Sequence, residues 1–154
     1  MKRKIYLAAP LFSEAEKAFN FQLKQQLVSD FEIYLPQEDG MLIVDLVKRG
    51  VTFSQASHMV FQADIKAINS ADILLIVLDG RTVDEGAAME LGFAYSKGKR
   101  CIGYSTDPRS LLPDGQNPMI SGGLETTVHS VQELRDYIFQ LQGVEICESF
   151  LFRA

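Results

Sequence analysis

The segment Asp72–Leu78 reads DILLIVL, with six apolar residues in succession from Ile73 to Leu78. A strand without a polar face must be covered on both sides, as in a parallel sheet layered between helices. The run is far short of the roughly 20 residues that cross a bilayer. Helical patterns flank it: Val51–Ser70 precedes it, and Asp84–Lys97 follows an Asp79-Gly80 turn and closes on Gly98. The same alternation extends in both directions. Lys4–Ala9 (KIYLAA) is a short apolar strand ended by Pro10. Ser13 with Glu16 three residues on forms a capping box for a helix to about Ser29 that carries Ala15, Ala18, Phe19, Leu23 and Leu27. Phe31–Leu35, Arg100–Tyr104 and Thr126–His129 read as further strands, and Val131–Leu141 as a last helix.

Strands and helices in this rhythm predict an α/β fold of flavodoxin-like (Rossmann-like) type, a five-stranded parallel sheet with helices on both faces. Pro36–Gly50 reads as a mostly irregular loop, as does Ser105–Gly123, and the tail from Gly143 to Ala154 has no assignable pattern. No repeat or low-complexity tract divides the chain, so residues 1–154 are expected to form one domain. With 47% hydrophobic residues the chain can bury a core without metals or disulfides. Ligands of such sheets sit beyond the carboxyl ends of the strands. That directs attention to Pro10–Phe12, Pro36–Asp39, Asp79–Asp84 and Ser105–Asn117.

Charge and cysteine usage exclude several classes. Fifteen basic against twenty acidic residues give a net charge of −5, the wrong sign for a nonspecific nucleic-acid binder. No signal-peptide core or spanning segment is read, so no membrane partner is expected. Cys101 and Cys147 show neither metal-ligand spacing nor a disulfide framework, which fits a reducing cytoplasm. There is no P-loop and no Gly-x-Gly-x-x-Gly after the first strand, and no cofactor is expected. His58 and His129 are isolated, and no serine elbow is present.

Two carboxylates stand out from their surroundings. At about 100° per residue, Asp64 falls inside the apolar arc of its helix, among Phe53, Val60, Phe61, Ile65 and Ile68. An ionised group there needs a partner, so Asp64 is either a buried cap or a carboxyl held in a ligand pocket with a raised pKa. Glu90 is the only charged residue from Gly86 to Ser96 (GAAMELGFAYS), a helix apolar almost all round and expected to be buried. It either pairs with a base such as Arg81 or Arg100, or serves chemistry with Asp84 at the mouth of the same helix. Carboxyls converging at a sheet edge suit attack on, and protonation around, an oxocarbenium-like centre. The rival use of such acids, Mg²⁺ binding, needs a phosphate's help, and no metal site is predicted.

These residues resemble the nucleoside 2-deoxyribosyltransferase family. The likeness is carried by Ile5-Tyr6-Leu7-Ala8-Ala9-Pro10 with Phe12, by Asp64 with Ala71-Asp72, by Asp84-Glu85-Gly86-Ala87-Ala88-Met89-Glu90-Leu91-Gly92, and by Asn117-Pro118-Met119. It spans roughly residues 3–140. The resemblance implies that Glu90 attacks C1′ of a 2′-deoxynucleoside to form a covalent 2-deoxyribosyl-enzyme, which a second free nucleobase then attacks. It further implies that Tyr6 orients Glu90, that Asp64 and Asp84 hold the base and move its proton, and that Phe12 stacks on the base. Asn117, with Met119 nearby, would reach the sugar of a neighbouring subunit, making a homo-oligomer with shared sites. Gln37 is a candidate base contact, and Gly86 a small residue admitting substrate.

The chain also departs from the family pattern. Asp79-Gly80-Arg81 belongs to only part of the family, and the segment 143–154 matches nothing in it. A 2′-deoxynucleoside 5′-monophosphate N-hydrolase would use the same glutamate with water as acceptor. Its first loop is expected to be rich in glycine and serine, whereas this one reads Ala-Ala-Pro-Leu-Phe-Ser. A nucleoside- or nucleotide-binding module without catalysis is the alternative from another class.

Overall fold

The computed structural model describes residues 2–109 and 117–151, with side chains described up to residue 141. Five strands, β1 (Lys4–Ala8), β2 (Glu32–Tyr34), β3 (Ile73–Val77), β4 (Arg100–Tyr104) and β5 (Thr126–Val128), form one parallel sheet. Its order is β2-β1-β3-β4-β5. This is the flavodoxin-like order, with the switch in direction between β1 and β3. β1 is therefore central: Ile5 is registered against Ile33 on one side and Ile73 on the other.

The period of two along each strand divides the core into two layers. Ile5, Leu7, Ile73, Leu75 and Val77 face α1 (Glu14–Leu27) and α7 (Val131–Leu151), where Leu23, Leu27, Leu134 and Ile138 complete the packing. Tyr6, Ala8, Leu74, Ile76 and Leu78 face α4 (Phe53–Ser70) and α5 (Glu85–Ser96), against Ala67, Ile68, Ala87, Leu91 and Ala94. All five residues of β3 are buried, as a strand covered on both faces must be. At Gly103 in β4 a Cβ would come within 2.8 Å of Leu78 Cδ1 and 2.9 Å of Thr127 Oγ1. Gly103→Ala is expected to lower stability by about 1–3 kcal/mol through overpacking. An unchanged thermal midpoint would show that those side chains step aside without loss.

The capping box is present: Ser13 Oγ accepts from the Glu16 amide at 3.2 Å, and Glu16 Oε2 accepts from the Ser13 amide at 2.7 Å. Thr52 and Gln55 form a second one at the start of α4. Gly98 follows α5 with φ +66°, the left-handed conformation that ends a helix.

Four expectations need correction. Pro36–Gly50 is not mostly irregular, because it holds α2 (Pro36–Asp39) and α3 (Ile43–Lys48). Pro36 presets the first turn of α2, and the Leu35 amide donates to Asp39 Oδ2 at 2.8 Å. The loop 105–123 contains a further turn of helix, α6 (Pro118–Ser121), while 110–116 lie outside the described residues. The last helix does not stop near Leu141; its backbone continues through Gly143 to Leu151. α5 is also not buried all round. Ala87, Leu91 and Ala94 point into the core, but Met89 and Tyr95 are 51% and 60% exposed. One sheet covers one face of a helix, and Met89 and Tyr95 on the opposite face of α5 are left exposed among the described residues.

Candidate active site

A cleft of about 580 Å³ opens at the carboxyl edge of the sheet, at the β1–β3 switch. Its walls come from the segment after β1 (Ala9, Leu11, Phe12), from α1 (Lys17), from α2 (Pro36, Gln37), from Met41 and Leu42 ahead of α3 and Ile43 and Val44 within it, and from α4 and α5. The last two supply Val60, Asp64, Asp84, Gly86, Ala87 and Glu90. Three carboxyls thus meet in an otherwise largely apolar hollow.

Tyr6 leaves β1 on the α4–α5 face and is completely buried. Its hydroxyl donates to Glu90 Oε1 at 2.5 Å, a bond spanning 84 residues of chain. The Tyr6 ring stacks on Tyr34 of β2, with centroids 5.4 Å apart and planes 17° from parallel. Burial and the neighbouring Glu90 and Asp64 charges drive the Tyr6 pKa well above its ordinary value, so the phenol stays a donor. Glu90 takes this tyrosine rather than an arginine as its partner, while Arg100 pairs with Glu125 at 3.0 Å. Arg81 is exposed.

Burial is the main force on the Glu90 carboxyl and pushes its pKa to about 7. The Tyr6 hydrogen bond holds it down in part, and the Asp64 and Asp84 charges add to the rise. Asp64 is half-buried on α4, and its pKa is lifted by burial to about 6. Asp84 has a different task as the N-cap of α5, with Oδ2 accepting from the Ala87 amide at 2.9 Å. That cap fixes the first turn of the helix on which Glu90 sits. A Cβ on Gly86 would stand 3.1 Å from Asp84 Oδ2, so a small residue there leaves the carboxyl its place. Among the described residues no three His, Cys, Asp or Glu side chains are grouped as metal ligands, and no helix is long and apolar enough to cross a membrane.

Phe12 stands at the cleft with its ring 78% exposed. Gln37 also lines the cleft, but its amide is engaged within the chain. Its Nε2 donates to the Lys17 carbonyl at 3.0 Å, and its Oε1 accepts from Asn20 Nδ2 at 3.1 Å. Buried Asn20 donates as well to the Pro10 carbonyl at 2.8 Å, so one side chain clamps two walls. Asn117 and Met119 are not brought to this cleft. Asn117 Oδ1 accepts from the Met119 amide at 2.9 Å as the cap of α6, and Met119 is 83% exposed. Sequence reasoning missed Lys17, and within Pro36–Gly50, the stretch expected to shape the base pocket, it singles out Gln37 but not Met41, Leu42, Ile43 and Val44. The run of three branched apolar residues inside a supposed loop was the available signal.

Comparison with known proteins agrees with this fold. Residues 5–143 match the family model described as nucleoside 2-deoxyribosyltransferase. A conserved protein from Enterococcus faecalis V583 is 29% identical, with 91% of this chain and 99% of that one covered and a TM-score of 0.75. A 2-deoxyribosyltransferase from Bacillus psychrosaccharolyticus is 26% identical over 85% of this chain and 89% of its own, with a TM-score of 0.71. The CMP N-glycosidase of Clostridium botulinum, 18% identical over 91% and 99% of the two chains, shares the fold with a TM-score of 0.56. Among curated proteins no significant match is found. With the match extending from β1 to the last helix and enclosing every carboxyl of the cleft, the chain belongs to the nucleoside 2-deoxyribosyltransferase family.

Proposed function

We propose that this protein moves 2-deoxyribose from one nucleobase to another by a retaining double displacement. The observation that carries the reading is the Tyr6–Glu90 hydrogen bond, which holds one half-buried carboxyl at a cleft lined by two more acids. In the first step an ionised Glu90 oxygen bonds to C1′ as the C1′–N bond breaks, and Asp64 or Asp84 gives its proton to the departing base. In the second step the nitrogen of an incoming base bonds to C1′, the ester to Glu90 breaks, and the same acid recovers the proton. Two inversions leave the β configuration unchanged. The raised pKa of Asp64 suits it to the acid's part, since proton donation requires a neutral carboxyl.

Transfer is favoured over hydrolysis by the walls around the acids. Leu11, Phe12, Met41, Leu42, Ile43 and Val60 offer flat apolar surface to a second base and little to hold a water. Phe12, in this reading, stacks on the base. Asn117 and Met119, which lie away from the cleft of their own chain, act in a second copy's site within a homo-oligomer. Met89 and Tyr95, exposed on α5 among the described residues, give that copy an apolar surface to meet.

Purified protein incubated with thymidine, with and without adenine, tests the proposal by chromatography. Deoxyadenosine forming only when adenine is present is the expected result. Thymine released equally in both reactions would replace transfer by hydrolysis, and no turnover of any deoxynucleoside would leave a binding module. A 2′-hydroxyl withdraws electrons from the oxocarbenium-like centre, so inosine is expected to react far more slowly than deoxyinosine as donor. Equal rates on the two would refute the assignment to 2-deoxyribose.

A further inference from the structure

We propose that Lys17 sets base preference by donating a hydrogen bond to a carbonyl oxygen of the nucleobase, so that oxo-bases are favoured over their amino counterparts. The proposal rests on the exchange reading above and adds the class of base the cleft takes.

α1, which carries Lys17, packs on one face of the sheet, whereas α4 and α5, which carry the acids, pack on the other. The cleft bridges these faces across the strand ends, lined by Asp64, Asp84 and Glu90 from the α4–α5 layer and by Lys17 from the α1 layer. Among the described residues lining it, Lys17 is the one cation. Gln37, the other lining side chain with N–H donors, is held by Asn20 and by the Lys17 carbonyl itself. A base whose leaving nitrogen faces the acids therefore presents its far edge to an ammonium.

That ammonium is available. Its partner Glu14 lies 3.1 Å away on the solvent side, with its side chain 93% exposed, and a pair so exposed holds weakly. The four-carbon stem carries three donors that can turn toward the cleft. A keto oxygen, as in hypoxanthine, guanine, thymine or uracil, accepts such a donor. An exocyclic amino group, as in adenine, opposes hydrogens to hydrogens. A phosphate is disfavoured as the occupant, because three carboxyls face one ammonium in the same hollow.

The test measures kcat/KM for hypoxanthine and for adenine as acceptors from thymidine, in the wild type and in Lys17→Met and Lys17→Arg. The wild type is expected to prefer hypoxanthine. The hypoxanthine-to-adenine ratio should fall about 10- to 100-fold in Lys17→Met and stay near wild type in Lys17→Arg, in keeping with a hydrogen bond to a charged group. Lys17 sits in the first turns of α1, and thermal midpoints of both variants are measured to check folding. An unmoved ratio in a folded, exchanging Lys17→Met overturns this proposal alone. Selective loss of deoxynucleoside 5′-monophosphate turnover, with the base ratio kept, also overturns it and reassigns the ammonium to a phosphate. Failure of the wild type to exchange any base removes the exchange reading and this proposal together.

Discussion

Glu90→Gln is expected to lower kcat/KM for base exchange by at least about ten-thousand-fold while the protein stays folded. Glutamine has nearly the shape of glutamate and can still accept from the Tyr6 hydroxyl, so the loss isolates the attacking oxygen. Tyr6→Phe should be milder, about 10- to 100-fold, because it misdirects the carboxyl without removing it. Stability should change in the opposite sense. The Glu90 pKa rises from its ordinary 4.5 to about 7 in the folded chain. Between those values the folded state binds more protons than the unfolded one, so stability falls as pH rises through the window. Glutamine carries no such penalty. The variant should match the wild type near pH 4.5 and exceed it at pH 8, by up to about 3 kcal/mol at roughly 1.4 kcal/mol per pKa unit. Denaturant melts at the two pH values measure this. Retention of more than a hundredth of the activity would show that another group attacks C1′.

A narrow bell is the expected pH profile for exchange. The reaction needs Glu90 ionised and its acid partner protonated, yet burial sets Asp64 near 6 and Glu90 near 7. The acid thus loses its proton before the nucleophile does. The reactive form is one of two singly protonated forms of this pair, and at these values it is about one-tenth of them. Rate should rise through about pH 6, peak between 6 and 7, and decline above 7, with both limbs belonging to the interacting acids jointly. Asp64→Asn, assayed with a donor whose base leaves unaided, should lose the alkaline decline and keep a single rise as Glu90 ionises. A rate still climbing beyond pH 8 in the wild type would rule Asp64 out as the proton donor.

What could be read in advance followed physical conflict. Asp64 and Glu90 were conspicuous as charges in apolar arcs, and Ser13 with Glu16 announced a helix start whose hydrogen bonds are present. The all-apolar β3 requires cover on both faces and so implies the layer architecture by itself. Tyr6 was different: a tyrosine on a core strand looks ordinary, and only family resemblance marked it out. α2 and α3 escaped notice because four and six residues are too few to display a helical period. The engagement of the Gln37 amide joins residues 17 and 20 positions apart, and nothing in local pattern reports such a contact. The exposure of Met89 and Tyr95 on α5 was hidden for another reason. Composition records how much a helix must bury, not whether its own chain does the burying.

The central position of β1 has a consequence during synthesis. β1 precedes every other strand in the chain, yet its two flanking ladders arrive far apart, β2 by residue 34 and β3 only at 73–77. Until β3 is made, the apolar segment KIYLA presents one open edge of amides and carbonyls. A nascent or truncated chain halted before residue 73 therefore carries a ready template for pairing with its neighbours. Early termination in this protein should yield fragments that cling to chaperones or to one another, and the strand left bare in them is the one that bears Tyr6.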